Sequence, residues 1–248
     1  CGTGEGYRRR RVELSRMKLL SVIIPVFNEE KTIVLLLLEV FSQKIFGWKK
    51  EVIVVDDGST DDSLKKLKGL QNLKTPRYQV LAQTHSGRGK ALRTGIKRAK
   101  GEAIIFQDAD LEYDPADWPK LLKELEKPGT KVVYGTRTVN PERKGYRQYV
   151  IGARLLTNFV NLLYGSNLTD LYTGYKIFRS KTLKSLKLQS NGFELEPEIT
   201  SKLLKKRINI REIPIRYNPR TFKEGKKIRF KDWLTGFYSI LKFFYISH

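Results

Sequence analysis

The stretch Ile104-Ile105-Phe106-Gln107-Asp108-Ala109-Asp110 runs from apolar, β-branched residues into two carboxylates spaced i, i+2. An apolar run of this length reads as a buried strand. The carboxylates then fall at its C-terminal edge, where open α/β sheets hold their ligands. In extended backbone, i and i+2 point to one side. Two hard oxygen ligands can thus share one divalent cation, and that cation can bridge a diphosphate. Acidic pairs often merely end strands or cap helices, so the pair takes its weight from the rest of the chain.

Upstream, Leu19–Val26 reads as a buried strand and Glu29–Phe41 as a helix with an apolar face. Glu51–Val55 is a second strand ending at Asp56-Asp57-Gly58-Ser59, where Ser59 or Thr60 can cap the next helix. Tyr78–Ala82 is a third strand, and Gly87-Arg88-Gly89-Lys90 opens a helix to about Ala99. Ala103–Asp108 is a fourth strand, Pro115–Glu126 a helix and Lys131–Tyr134 a fifth strand. Strands alternating with helices predict an α/β fold with a doubly wound, mostly parallel sheet. The loops at 25–29, 56–59 and 108–110 then leave one sheet edge and converge on one ligand.

From Arg137 the pattern changes. Residues 137–147 form a basic loop, Val150–Tyr164 an apolar helix whose single charge is Arg154, and Lys176–Phe178 and Ile208–Tyr217 further strands. Residues 202–231 hold twelve Lys or Arg against two acids. Phe230–Ile246 mixes Trp233, Phe237, Tyr238, Phe243, Phe244 and Tyr245 with basic residues. That composition suits a helix at a membrane interface, and equally one docked on the sheet.

The chain has 248 residues, 48 Lys plus Arg against 26 Asp plus Glu, and a net charge of +22. The surplus implies an anionic partner: a membrane surface, nucleic acid or a phosphorylated substrate. One cysteine, Cys1, excludes an internal disulfide and a cysteine zinc site, and two histidines make a histidine metal cluster implausible. The chain holds no uninterrupted run of 18 apolar residues, so no spanning helix is expected. Residues 1–16, with Arg8 to Arg11, are expected to lie outside the fold, residues 17–229 to form the catalytic domain and 230–248 a C-terminal amphipathic helix.

Taken in order, these motifs resemble the family 2 glycosyltransferases with a glycosyltransferase-A fold. Within that family they are similar to the polyprenyl-phosphate sugar synthases, the group of the dolichol-phosphate mannose synthases, over roughly residues 19–232. The resemblance implies that Pro25, Phe27 and Glu29 line the nucleoside pocket, that Asp57 reads the base or ribose, and that Lys90 lies near the nucleotide. It assigns the metal and diphosphate to Asp108 and Asp110, joined by Glu112 where the synthases commonly carry Gln. On the acceptor side it implies that Arg137 and Arg147 grip a lipid phosphate, although Ile151-Gly152 stand where the family often adds a serine. Asp170 to Tyr175 resembles the acceptor-side turn, and Arg220 with Lys226 or Lys227 closes over the donor diphosphate. Glu194 is expected to line the site.

The implied reaction is inverting hexosyl transfer, dependent on Mg²⁺ or Mn²⁺. The donor is a nucleotide sugar of the GDP-mannose or UDP-glucose type, and the acceptor a dolichyl or undecaprenyl phosphate at the cytoplasmic face of a membrane. A phosphate monoester, with a second pKa near 6, is already anionic at neutral pH and needs no general base. A sugar hydroxyl does need one. The alternative reading is therefore a family 2 enzyme of polysaccharide or glycolipid synthesis, with Glu194 or Glu196 as base. A nucleic-acid-binding module fits poorly, since recognisable motifs are lacking and the acidic loops repel phosphate without a metal.

Overall fold

A computed structural model describes residues 17–71, 78–137, 147–220 and 230–245. Among them a seven-stranded sheet runs in the order β3-β2-β1-β4-β6-β5-β7. Its strands are β1 (Lys18–Val26), β2 (Trp48–Asp56), β3 (Gln79–Ala82), β4 (Ala103–Phe106), β5 (Val132–Arg137), β6 (Lys176–Arg179) and β7 (Ile210–Ile215). β3, β2, β1 and β4 are mutually parallel, and β5 is parallel to β7. β6 runs antiparallel between β4 and β5. The sheet is thus mostly parallel, as the alternation predicts, with one reversed strand.

Alternation along each strand explains the layers. Successive side chains face opposite sides of a sheet. Val22, Ile24, Val52, Val54 and Ile105 pack on one side with α1 (Ile33–Ser42) and α4 (Trp118–Glu126). Ile23, Ile53, Ile104 and Phe106 pack on the other with α3 (Arg88–Arg98) and α7 (Leu195–Lys205). Both faces are covered, which accounts for the near-continuous apolar runs of β1 and β4. The helix α2 (Ser63–Gln71) follows β2, and the short α6 (Ser180–Lys184) follows β6.

Several boundaries differ from expectation for identifiable reasons. Ser59 and Thr60 do not cap α2. Ser59 Oγ instead accepts the Asn28 amide (3.0 Å), the Thr60 amide donates to Asn28 Oδ1 (2.8 Å), and the Asp61 carboxylate takes the Ser63 amide (2.9 Å). Residues 29–32 form a turn ahead of α1, with the Ile33 amide bonded to the Glu29 carbonyl. The segment at Pro115 starts as a 3₁₀ turn, Pro115–Asp117, capped by Asp114, before α4 begins. β4 ends at Phe106, two residues short of the expected Asp108.

α5 (Arg147–Tyr164) and α8 (Phe230–Tyr245) lie side by side. Phe159 stacks on Phe237 with centroids 4.9 Å apart, and Leu156, Val160, Leu171 and Ile240 form a small core between the helices. The outer faces expose Ile151, Leu155 and Leu162 on α5 and Leu234, Tyr238 and Tyr245 on α8. α8 is therefore docked on its inner side, and its exposed residues mix Leu234, Tyr238 and Tyr245 with Thr235 and Lys242. Among the described residues no helix is long and apolar enough to cross a membrane.

Beneath the tip of β4 the indole of Trp118, fully buried, donates to Tyr175 Oη (3.1 Å), which donates to Gln107 Oε1 (2.5 Å). Gln107 Nε2 in turn holds the Asp108 and Tyr113 carbonyls (3.2 and 3.3 Å). Trp118→Phe, which keeps an aromatic ring but loses the indole N–H, is expected to lose about 1–2 kcal/mol of unfolding free energy. Trp118→Ala is expected to lose about 3–5 kcal/mol in urea denaturation. Unchanged stability in Trp118→Phe would remove the indole hydrogen bond from this account.

Candidate active site

β1, β2 and β4 are adjacent and parallel, so the residues that follow them meet at one edge. Pro25 pairs with Val55 inside the sheet and is buried. Phe27 stacks on the His85 ring, centroids 4.0 Å apart and planes at 24°. Asp57 is buried and holds the loop that leads into α3. Its carboxylate accepts the Ser86 and Gly87 amides (3.0 and 2.8 Å) and Gln83 Nε2 (2.6 Å), and lies 2.9 Å from His85 Nδ1. Lys90 lies in the first turn of α3, its amide donating to the Asn191 carbonyl (2.8 Å).

The acidic tip of β4 is compensated from two sides. Asp108 Oδ1 accepts Arg88 Nε and Nη2, both at 2.9 Å. Asp110 Oδ2 accepts Arg220 Nη2 (3.1 Å), while its Oδ1 takes the Glu112 amide (3.1 Å). Glu112 accepts Tyr217 Oη (2.6 Å) and the Arg220 amide (2.8 Å). Burial and the charges of Asp108 and Glu112 push the Asp110 pKa up to about 7, against the pull of Arg220. The three expected metal ligands are thus close in the chain, but each is engaged by a protein partner. Among the described residues no three acidic or histidine side chains converge as a preformed cation site.

Arg220 joins this tip to the loop after β1: its Nη1 and Nη2 make a bidentate pair with Glu29 (3.0 and 3.1 Å) in addition to Asp110. Among the described residues its buried Nε has no hydrogen-bond partner. Across the site, Arg137 at the end of β5 makes a bidentate pair with Asp170 (2.6 and 2.7 Å) and lies over the Tyr217 ring at 5.1 Å. Arg147 opens α5, and its side chain is not among those described; Lys226 and Lys227 fall outside the described residues, as do residues 1–16.

The two base candidates are both engaged. Glu194 Oε1 accepts the Asn191 and Gly192 amides (3.1 and 2.9 Å), fixing the turn that precedes α7. Glu196 is buried between Arg88 Nη1 (2.5 Å) and Lys176 Nζ. Burial raises its pKa, but the Lys176 and Arg88 charges outweigh burial and hold it below the ordinary carboxylate value. A carboxylate so held is a weak proton acceptor, which agrees less well with a base at Glu196, the alternative reading, than with a structural role there.

Arg88, Lys176, Asp170, His85 and Tyr217 were not singled out as site residues by the sequence. Arg88 stood inside the Gly87-Arg88-Gly89-Lys90 motif and Asp170 opened the 170–175 turn, so a motif signal existed for both. Lys176 sat within a strand pattern, where nothing marks a buried lysine.

Comparison with known proteins places this geometry. Residues 21–187 match the profile described as Glycosyl transferase family 2. An uncharacterized protein of Methanocaldococcus jannaschii is 32% identical over 200 residues, covering 77% of the chain and 84% of that protein. A dodecaprenyl-phosphate galacturonate synthase of Rhizobium johnstonii is 31% identical over 182 residues, or 72% of the chain and 53% of the relative. A dolichol-phosphate mannosyltransferase of Pyrococcus furiosus is 28% identical over 214 residues, or 84% of the chain and 58% of the relative. The chain thus spans little more than half of the two named synthases. The fold matches glucosyl-3-phosphoglycerate synthase from Mycobacterium tuberculosis, solved with Mn²⁺, uridine-diphosphate-glucose and phosphoglyceric acid. That likeness has a TM-score of 0.71 at 20% identity, over 95% of this chain and 83% of that one. With a sheet edge built for the motifs and a profile match over more than half its length, the chain belongs to the family 2 glycosyltransferases, with the glycosyltransferase-A fold and relatives among the polyprenyl-phosphate sugar synthases.

Proposed function

We propose that the enzyme moves a hexose from a nucleotide sugar to a polyprenyl phosphate. The observation that carries this reading is the pair of arginines, Arg220 and Arg137, each held two-pronged by a carboxylate at the sheet edge. A guanidinium fork that fits a carboxylate also fits a phosphate. The buried Nε of Arg220, without a partner among the described residues, adds a donor that an anionic oxygen would satisfy. Two such forks on either side of the β4 tip suit two phosphate-bearing substrates. The names of the two synthases among the relatives support the same acceptor class.

The chemistry needs little from the protein beyond placement. A phosphate oxygen of the acceptor attacks the anomeric carbon as the bond to the donor diphosphate breaks, and the nucleoside diphosphate leaves with the electron pair. Single displacement inverts the anomeric centre. Arg137 and Arg147 hold the acceptor phosphate, while Arg220 and Lys227 hold the departing diphosphate. Phe27, Pro25, Glu29, Asp57 and Lys90 form the nucleoside side. The engagement of Glu194 and Glu196 supports an acceptor that arrives already ionised, and so disfavours a hydroxyl.

A divalent cation fits the donor set. Asp108, Asp110 and Glu112 are hard oxygen ligands, and burial, together with the charges of Asp108 and Glu112, raises the Asp110 pKa in spite of Arg220. Those three residues would hold Mg²⁺ or Mn²⁺, which would neutralise charge on the leaving diphosphate. The exposed apolar residues of α5 and α8, interspersed with Arg154 and Lys242, and the basic residues at 223–231 of the sequence suit peripheral seating on an anionic membrane.

Incubation with labelled UDP- and GDP-sugars, Mg²⁺ or Mn²⁺, and polyprenyl phosphate is expected to carry label into the lipid extract; label only in water-soluble product rejects the acceptor. Arg137→Ala is expected to raise the acceptor KM about tenfold or more. Glu194→Gln, whose amide oxygen can still accept the two turn amides, is expected to hold kcat within a few-fold. A fall of several orders of magnitude with intact donor binding selects the hydroxyl-acceptor alternative instead.

Asp110 also sets a pH dependence. The folded state keeps its proton to about pH 7, while the unfolded chain releases it near its ordinary value of about 3.9. The folded protein therefore binds more protons in that window, and this group's contribution makes stability fall as pH rises through it. Asp110→Asn is expected to flatten that slope and to raise the melting temperature of the ligand-free protein at about pH 8. Wild-type and variant melting curves that run parallel from about pH 5 to about pH 8 would contradict the assignment.

A further inference from the structure

We infer that Arg88 is a positioning residue for Asp108, and that Glu196 serves as the buried anion that fixes Arg88 in place. The inference rests on the donor-site reading above and extends it to residues that reading does not use. Arg88 spans two carboxylates with three nitrogens: Nε and Nη2 on Asp108 Oδ1, and Nη1 on Glu196 Oε1. Both carboxylates are fixed from behind. Glu196 Oε2 pairs with Lys176 Nζ, which also donates to the Leu171 and Thr173 carbonyls (3.0 and 2.5 Å) and lies 4.7 Å over the Tyr134 ring. Asp108 Oδ2 abuts Gly174 so closely that a Cβ there would run into it.

The flanking glycines explain how the arginine reaches this position. A Cβ at Gly87 would lie 2.6 Å from the Asn191 carbonyl oxygen, and one at Gly89 2.6 Å from that of Gly192. Only with glycine at both positions does the 191–192 turn close on the start of α3, and that closure brings α7 and Glu196 to Arg88. The Gly-Arg-Gly pattern thus encodes a docking of α3 on α7 with one cation at its centre.

The four charges cancel: Arg88 and Lys176 against Asp108 and Glu196. Removing the Arg88 cation leaves Asp108 unpaired beside Asp110 and Glu112. The site then gains a net negative charge and Asp108 loses its fixed orientation. Both effects act against a nucleoside diphosphate, which remains anionic even with one divalent cation bound. Lysine keeps the charge but has no fork to bridge two carboxylates.

The test is calorimetric titration of UDP and GDP with Mn²⁺ into wild type, Arg88→Met, Arg88→Lys, Glu196→Gln and the Arg88→Met/Glu196→Gln double variant. Near-ultraviolet circular dichroism at the assay temperature establishes that each is folded. Arg88→Met is expected to weaken binding of the better nucleotide about tenfold or more, and Arg88→Lys to recover part of that. Glu196→Gln is expected to weaken it comparably, and the double variant to bind no worse than Arg88→Met, because the two act through one route. If Arg88→Met does not fold, the same comparison is made with Arg88→Lys alone and combined with Glu196→Gln. Wild-type affinity in a folded Arg88 variant, or losses that multiply in the double variant, overturn the inference while leaving the donor site standing. A loss confined to kcat also overturns it, since Arg88 would then act on the reacting atoms. If the wild type itself binds neither nucleotide, the donor-site reading falls and this inference with it.

Discussion

Burying a carboxylate costs several kcal/mol unless a cation accompanies it, and this sheet edge carries Glu29, Asp57, Asp108, Asp110, Asp170 and Glu196 within one region. The fold is organised around meeting that demand. Arg88 reaches Glu196 over 108 positions of the chain, and Arg220 reaches Glu29 over 191. The arginine that neutralises the β4 tip from outside comes from beyond β7, and the one that does so from inside comes from the start of α3. Early and late segments are held together at the site by ion pairs as well as by the apolar layers beneath.

The pairs fall into two tiers by burial. Glu196 and Lys176 are sealed, with side chains 3% and 0% exposed, while Arg88, which pairs with Glu196, is itself 14% exposed. Arg220 and Arg137 retain 18% and 14% exposure and face the open edge. A sealed pair gains nothing by opening, because each partner would be left as an isolated charge in a poorly solvated place. An edge pair can trade its carboxylate for a phosphate with the same two-pronged geometry and no net loss of hydrogen bonds. Burial therefore sets the Glu196–Lys176 pair, which shapes the site, apart from the edge pairs of Arg220 and Arg137, which can exchange partners with a substrate.

The layered sheet was legible because its strands are apolar on both faces and its helices recur between them; Ile104 and Phe106 face one layer and Ile105 the other, as alternation requires. The edge loops were legible because motifs mark them. Three features were not. The reversed β6 is a four-residue strand whose direction no local pattern reports, since only its partners on either side define it. The caps near residue 60 were misplaced because Ser59 and Thr60 bond across to Asn28, a tertiary contact that overrides the local preference. The Arg88–Glu196–Lys176 cluster was hidden because a charged residue in sequence carries no sign of its distant partner. Glu194 and Glu196 look alike in the chain, yet one caps a turn and the other is sealed between two cations.

The acceptor side gains a mechanical link from the same packing. Leu171, next to Asp170, is buried in the core between α5 and α8, and its amide donates to Thr157 Oγ1 of α5 (3.2 Å). The Asp170 amide is held by Glu212 of β7, 3.2 Å away. The turn that clamps Arg137 is thus mounted on the helix pair at one end and on the sheet at the other. A rigid turn transmits a shift of its support, because packed side chains rearrange in discrete steps and do not deform smoothly. On the reading that the outer faces of α5 and α8 meet a lipid surface, seating the helices bears on Asp170, and through it on the guanidinium that would take the lipid phosphate.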